Sequence, residues 1–161
     1  MAADVYLQIE GIKGESQDAE HKGWIECTLA DWALYQPGAP GSFGGCTKGR
    51  CEYATIDLHR VSDQATPILL QTCSTGRTLP RARLEVMRAD GAKPFKYFVI
   101  ELEHVIISHV YPSVSQGSPM QEFFALQFAR IKCYYAQQSI AGGMVGRTVG
   151  GWDLTTNTRW A

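Results

Sequence analysis

The sequence predicts a mainly β protein, an antiparallel two-sheet β-barrel with one flanking α-helix, in a single domain over residues 1–161. Three observations carry this. Short runs of alternating apolar and polar residues, separated by turn signals, dominate the chain, as in antiparallel sheets with one wet and one dry face. In two long runs the apolar parity switches partway, which a bulge or bend explains, and bent long strands curl a sheet toward closure. Only one segment combines helical spacing with a start and a stop signal.

Roughly eight strands follow in order. The first runs from Val5 to Glu10, with Val5, Leu7 and Ile9 on one side. The second runs from Trp24 to about Tyr35; Ile25, Cys27 and Leu29 share one parity while Trp32 and Leu34 share the other, which places the switch near Ala30 and Asp31. A third, Arg50 to Arg60, sets Ala54, Ile56 and Leu58 on one face. After Asp63 comes the helix, with Thr66-Pro67 as cap and first-turn proline and Gly76 as a left-handed stop. Ala65, Ile68, Leu69, Thr72 and Cys73 form its inward stripe. Strands from Ala82 to Arg88, Phe95 to Glu103 and His104 to Tyr111 come next, with Asp90-Gly91 as a hairpin turn. Phe124, Leu126 and Phe128 then alternate before Ile131, Cys133 and Tyr135 take the opposite parity. A last strand, Val145 to Leu154, carries Gly146, Gly150 and Gly151, which point to close backbone approach.

The segment from Phe95 to Val110 is apolar on both faces. Tyr97, Val99, Val105 and Ile107 have one parity; Phe98, Ile100, Leu102, Ile106 and Val110 have the other. A small barrel buries its inner face only, so the outer set needs cover, and one helix of about ten residues cannot supply it for a whole barrel. Tyr97, Val99, Val105 and Ile107 are therefore assigned to a subunit interface.

Composition bounds the function. The 161 residues are 45% apolar and 19% charged, ordinary for a globular domain, and a chain of this size can bury roughly 70% of its unfolded surface. Fifteen Lys and Arg against sixteen Asp and Glu give a net charge of -1, which offers no electrostatic basis for nucleic-acid binding. The N-terminus alternates at once and lacks the apolar run of a secretory signal, so no signal peptide is expected. The longest apolar stretch, Tyr97 to Val110, is broken by Glu101, Glu103, His104 and His109 and is shorter than the ~20 residues that span a bilayer, so no membrane insertion is expected. Five cysteines without C-x-x-C spacing match neither a disulfide framework nor a zinc site. Cys27, Cys73 and Cys133 read as buried thiols. Cys46 and Cys51 sit in or beside the Gly- and Pro-rich run from Pro37 to Gly49, an exposed loop, where they are either two free thiols or a local disulfide formed once the protein leaves a reducing compartment.

No nucleophile elbow, P-loop, zincin or kinase string occurs. His104 and His109 point to opposite faces by strand alternation, and His21 and His59 lack companions at ligand spacing, so no metal is expected. Glu101 and Glu103 share a face and imitate a carboxylate pair, but a solvated or interface face accounts for them better. Gly142-Gly143-Met144-Val145-Gly146 does not open a helix and so fails as a phosphate loop. No catalytic residue and no cofactor are assigned.

Lys13-Gly14-Glu15-Ser16, His21, Trp24 to Glu26, Trp32, the helix residues Asp63, Thr66-Pro67, Leu69, Cys73 and Gly76, then Pro80, and finally Gly151-Trp152-Asp153-Leu154 with Asn157 together resemble the Hcp family, the hemolysin-coregulated tube proteins of type VI secretion. No single motif is strong; their order along the whole chain is what is specific. The resemblance implies a non-enzymatic barrel that forms six-membered rings stacking into a tube. Its implied partners are other copies of itself, sheath, baseplate and spike proteins, and small effector proteins held in the ring lumen. It also implies assembly in the cytoplasm followed by direct expulsion. The loop over residues 37–49, with Pro37, Gly38, Phe43, Cys46 and Lys48, resembles the family's ring-stacking loop. Two departures stand out. Where the family commonly has a small polar residue, this chain has Asp31, either a lumen carboxylate or a bend residue satisfying its own turn; and Gln116 to Gln121 lacks the family's Gly-rich acidic turn. The competing reading from the residues is a monomeric small-ligand-binding β-barrel.

Overall fold

A computed structural model describes residues 3–39, 47–90, 93–139 and 144–161. In chain order the elements are β1 (Ala3–Ile9), β2 (Ile25–Cys27), β3 (Leu29–Asp31), β4 (Leu34–Tyr35), β5 (Gly38–Ala39), β6 (Thr47–Lys48), β7 (Glu52–Tyr53), β8 (Ile56–Val61), α1 (Thr66–Thr75), β9 (Leu79–Asp90), β10 (Lys93–Ser113), β11 (Gln121–Gln127), β12 (Arg130–Gln138), β13 (Met144–Asp153) and β14 (Thr158–Arg159).

Two antiparallel sheets share β10. In the first sheet the order is β2-β1-β9-β10-β12-β13-β14, and in the second it is β10-β11-β8-β3. The sharing depends on one residue: His104 takes a left-handed φ of 53°, which turns the strand from one sheet into the other and flips its alternation. Phe95 to Tyr111 is therefore one bent strand rather than two. Because of the flip, Ile100 and Leu102 before the bend and Val105 and Ile107 after it all enter the same core.

The chain also changes sheet between β2 and β3. This bend lies at Thr28, whose N–H donates to His59 O at 2.8 Å, and not at Ala30 and Asp31. Leu29, expected beside Ile25 and Cys27, is consequently exposed, while Ala30 turns inward against the core. The second expected switch, between Phe128 and Ile131, stands where β11 hands over to β12 and Ala129 N–H donates to Glu103 O. The barrel wall is joined at Thr28 by chain continuity, not by an unbroken ladder.

The helix ends as expected, with Gly76 at φ 62° and its N–H on Cys73 O. Its start differs. Ala65 is the cap residue and makes no side-chain cap bond; Asp63 Oδ1 instead accepts from Ala65 N–H at 2.7 Å. Ala65, Leu69 and Thr72 are buried, whereas Ile68 is 41% exposed and leaves the predicted stripe. Among the last-strand glycines only Gly151 makes a close approach, since a Cβ there would stand 2.8 Å from Ile131 O; Gly146 and Gly150 have open space. Asp90 pairs with Lys93, and the hairpin turn between them falls outside the described residues.

Between β3 and β8 the chain leaves the barrel as a ribbon. Leu34 pairs with Tyr53 and Gly38 with Lys48, which gives the predicted loop a paired stem.

Candidate functional site

The outer face of the second sheet carries exposed apolar and aromatic side chains, and alternation determines its members. β8 turns Ile56, Leu58 and Arg60 inward and Asp57, His59 and Val61 outward. On β11, Glu122, Phe124 and Leu126 go inward, leaving Phe123 outside. Ile106, His109 and Tyr111 of β10 and Leu29 of β3 complete the face. Ring contacts run across it: His59 to Phe123 at 4.9 Å, Phe123 to His109 at 5.4 Å, and His109 to Tyr111 stacked at 6.2 Å. Asp31 shares the outward side of β3 with Leu29 and stands in register with Asp57, so two carboxylates face each other across the pair. Thr55 Oγ1 donates to Asp57 Oδ1 at 2.6 Å, while Asp31 is exposed. Trp32, 41% exposed, stacks on Phe98 at 5.6 Å.

The ribbon begins beside this face. Gly49 N–H donates to Pro37 O at 2.9 Å, Gln36 Nε2 donates to Gly49 O at 2.6 Å, and Arg50 donates to Leu154 O, tying the stem to the C-terminal segment. A side chain at Gly49 would collide with Pro37, 2.8 Å away. Pro37, Gly38 and Lys48 belong to this stem; Phe43 and Cys46 lie outside the described residues. Cys51 is half-buried, and any pairing with Cys46 lies outside the described residues.

The interface set does not hold together. Val105 and Ile107 are 0% and 2% exposed within the core of their own chain, because the His104 bend reverses their facing. They have no surface to offer a second subunit. A bulge between Lys96 and Phe98 separates Tyr97 from Val99, and Tyr97 instead meets Tyr135 edge-on and lies under the Arg88 guanidinium at 4.6 Å. Val99 is buried as well.

Glu101 and Glu103 are each held by cations. Arg83 donates to Glu101 at 2.5 Å and Tyr134 Oη to its other oxygen at 2.8 Å; Arg130 donates to Glu103 at 3.1 Å and to Asp153 at 2.8 Å. A carboxylate pair so engaged forms part of a salt-bridge lattice. Among the described residues no group of three or more His, Cys, Asp or Glu is placed to hold a metal ion. Burial pushes the Cys27 thiol up to about 12, so it stays neutral; Cys73 and Cys133 are half-buried free thiols rather than fully buried ones.

Two polar clusters escaped the sequence reading. Inside the barrel, Arg60 Nε donates to Glu122 Oε1 at 2.8 Å, Nη2 to Thr66 Oγ1 at 3.1 Å, and Nη1 pairs with Asp63 at 2.6 Å. The available signal was an opposite charge at the inward parity of each of two strands. Under the first sheet, buried His21 holds Asp18 at 2.6 Å and Glu85 at 2.8 Å, one through each ring nitrogen, and stacks on Tyr6 at 4.2 Å.

The sequence and the fold match known proteins along nearly the whole chain. Residues 6–135 match the family model described as "Type VI secretion system effector, Hcp". The chain is 30% identical to Protein hcp1 of Pseudomonas aeruginosa over 161 residues, with 99% of each chain covered. Among solved structures, one titled "Structure of a type six secretion system protein" superposes with a TM-score of 0.93 at 26% identity, covering 99% of this chain and 100% of the other. Hcp1 from Salmonella typhimurium does so at 0.81 and 28%, with the same coverage. The chain thus belongs to the Hcp family of type VI secretion proteins.

Proposed function

We infer that this protein is a structural subunit of the type VI secretion inner tube, forming six-membered rings that stack, and that the outer face of its second sheet lines the ring lumen and contacts small effector proteins. The observation that carries the reading is the likeness to Hcp proteins over 99% of the chain. The exposed apolar face supports it, since a broad apolar and aromatic surface on a soluble chain marks a place for a partner. Sheath, baseplate and spike proteins are its further partners, and assembly in the cytoplasm precedes expulsion. The role is non-catalytic. The stem of the residue 37–49 ribbon, fixed to the C-terminal segment through Arg50, holds a loop suited to reach a neighbouring ring.

The alternative, a ligand-binding barrel, wants an apolar hollow inside; here Leu7, Leu58, Ile100, Phe124 and the Arg60–Glu122 pair occupy the interior.

Asp31 on that face makes the lumen acidic in this reading, six carboxylates to a ring. Cargo with basic surface is then favoured in a salt-dependent way. Negative-stain electron microscopy of purified protein should display six-fold rings, and isolated monomers would overturn the assignment. Asp31→Asn should weaken capture of basic cargo and flatten its salt dependence; unchanged capture would remove the charge from the argument.

A further inference from the structure

A ring made from one kind of chain needs two unlike surfaces on that chain, each fitting the other. The first sheet ends in two such edges. At one end is β2, and beside it a notch of about 360 Å³ opens between residues 15–16, 26–28 and 61–63. Glu15, Glu26 and Asp63 line it, with Val61 on its rim, and no cationic side chain does. Ser62 Oγ, also in the lining, is buried without a hydrogen-bond partner. Glu15 and Asp63 have structural duties, since Gln64 N–H donates to Glu15 and Arg60 pairs with Asp63; Glu26 projects outward from β2.

At the other end of the sheet β14 pairs only with Trp152 and Asp153 and leaves the rest of β13 as the edge, where the β12–β13 hairpin carries exposed apolar residues on both faces. Met144 and Val145, adjacent and so pointing opposite ways, are each 65% exposed, and Val149 is exposed as well. Between residues 132 and 152 the only charged residues are Lys132 and Arg147, both cations. Arg147 is exposed and lies over the Tyr134 ring at 4.2 Å, which holds the guanidinium close to the hairpin surface.

One edge is therefore acidic with an apolar rim, and the opposite edge is basic with apolar flanks. We propose that the β12–β13 hairpin of one copy seats on the notch beside β2 of the next, with Arg147 entering among Glu15, Glu26 and Asp63 and Val145 and Val149 covered against Val61. The contact rests on the ring reading above and specifies its two faces. It is heterologous, so it repeats around a closed ring instead of ending at a dimer. A second copy fits better than an unrelated partner because charge and apolar character match in opposite sense on the two edges of one sheet.

The test is charge reversal on the full chain, read by native mass spectrometry and sedimentation at low salt, with circular dichroism as a check on folding. Arg147→Glu and Glu26→Arg, both at exposed positions, should each raise the concentration needed for assembly on the order of tenfold or more, since like charges then meet across the contact. The double variant should recover assembly, and added salt should weaken the wild-type ring. If both single variants form rings as the wild type does, the contact lies elsewhere and the proposal fails while the ring reading stands. A double variant as dispersed as the singles also overturns the pairing. A wild-type chain that stays monomeric at micromolar concentration overturns the ring reading, and this contact with it.

Discussion

Arg60 and Glu122 sit opposite each other on neighbouring strands inside a wall of Leu58, Phe124 and Leu126, where an unpaired charge has no water to turn to. Removing one partner leaves the other stranded, which typically costs about 3–5 kcal/mol, whereas removing both leaves an apolar gap that neighbours can fill. Arg60→Ala should thus lower unfolding free energy by about that amount in denaturant titration, and Arg60→Met with Glu122→Leu should recover most of the loss. An Arg60→Ala chain as stable as the wild type would mean that the pair carries no weight. The same residues mark what sequence periodicity misses. Alternation placed Ile56 and Leu58 inward, and Arg60 shares their parity, but a charge at an inward position reads as a strand end until its partner on a distant strand is known.

At the scale of elements, bends mattered more than strands. The barrel, the single helix and the existence of two parity switches were legible, because alternation and the Gly76 stop are local signals. Where the sheets exchange strands was not: Thr28 and His104 turn the chain through long-range pairing that no neighbouring residue announces. The misplaced interface set follows from this, since parity carried unbroken through His104 puts Val105 and Ile107 on the wrong side. His104 at φ 53° also yields a test, because an L side chain in that conformation costs about 1–2 kcal/mol and a β-branched one fits worst. His104 already bears that cost, so His104→Val should lower stability further, and His104→Gly should be neutral or stabilising. Leu69→Ala, on the buried side of α1, should cost about 2–5 kcal/mol in the same titration. If His104→Val melts like the wild type, the strand turns without strain and the bend has another cause.

Across the whole molecule, a lattice of charge runs over the first sheet, and its carboxylates, with Glu85 and Asp153 buried, set how stability depends on pH. The His21 hydrogen bond, with backbone N–H groups, holds the Asp18 carboxyl below its usual range. Burial pushes Glu85 up, but hydrogen bonds from Lys96, His21 and Arg83 outweigh it and leave Glu85 below its ordinary value. Asp153 is held far below by the Thr155 hydroxyl, backbone N–H groups and Arg130. These three tie the N-terminal loop, the middle strands and the C-terminal turn to one another. A carboxyl whose folded value is depressed binds a proton more readily when unfolded, so its contribution is complete above the unfolded value and is lost as pH falls through the folded one. Unfolded carboxylates titrate near about pH 4, so thermal stability should be level with respect to these groups above about pH 5 and decline steadily below about pH 4. Asp153→Asn should reduce the slope of that decline, because it removes the most depressed of the three. Melting temperatures that hold constant down to strongly acidic pH would show that the lattice contributes nothing, and an Asp153→Asn chain with an unchanged slope would assign the acid sensitivity to the other two.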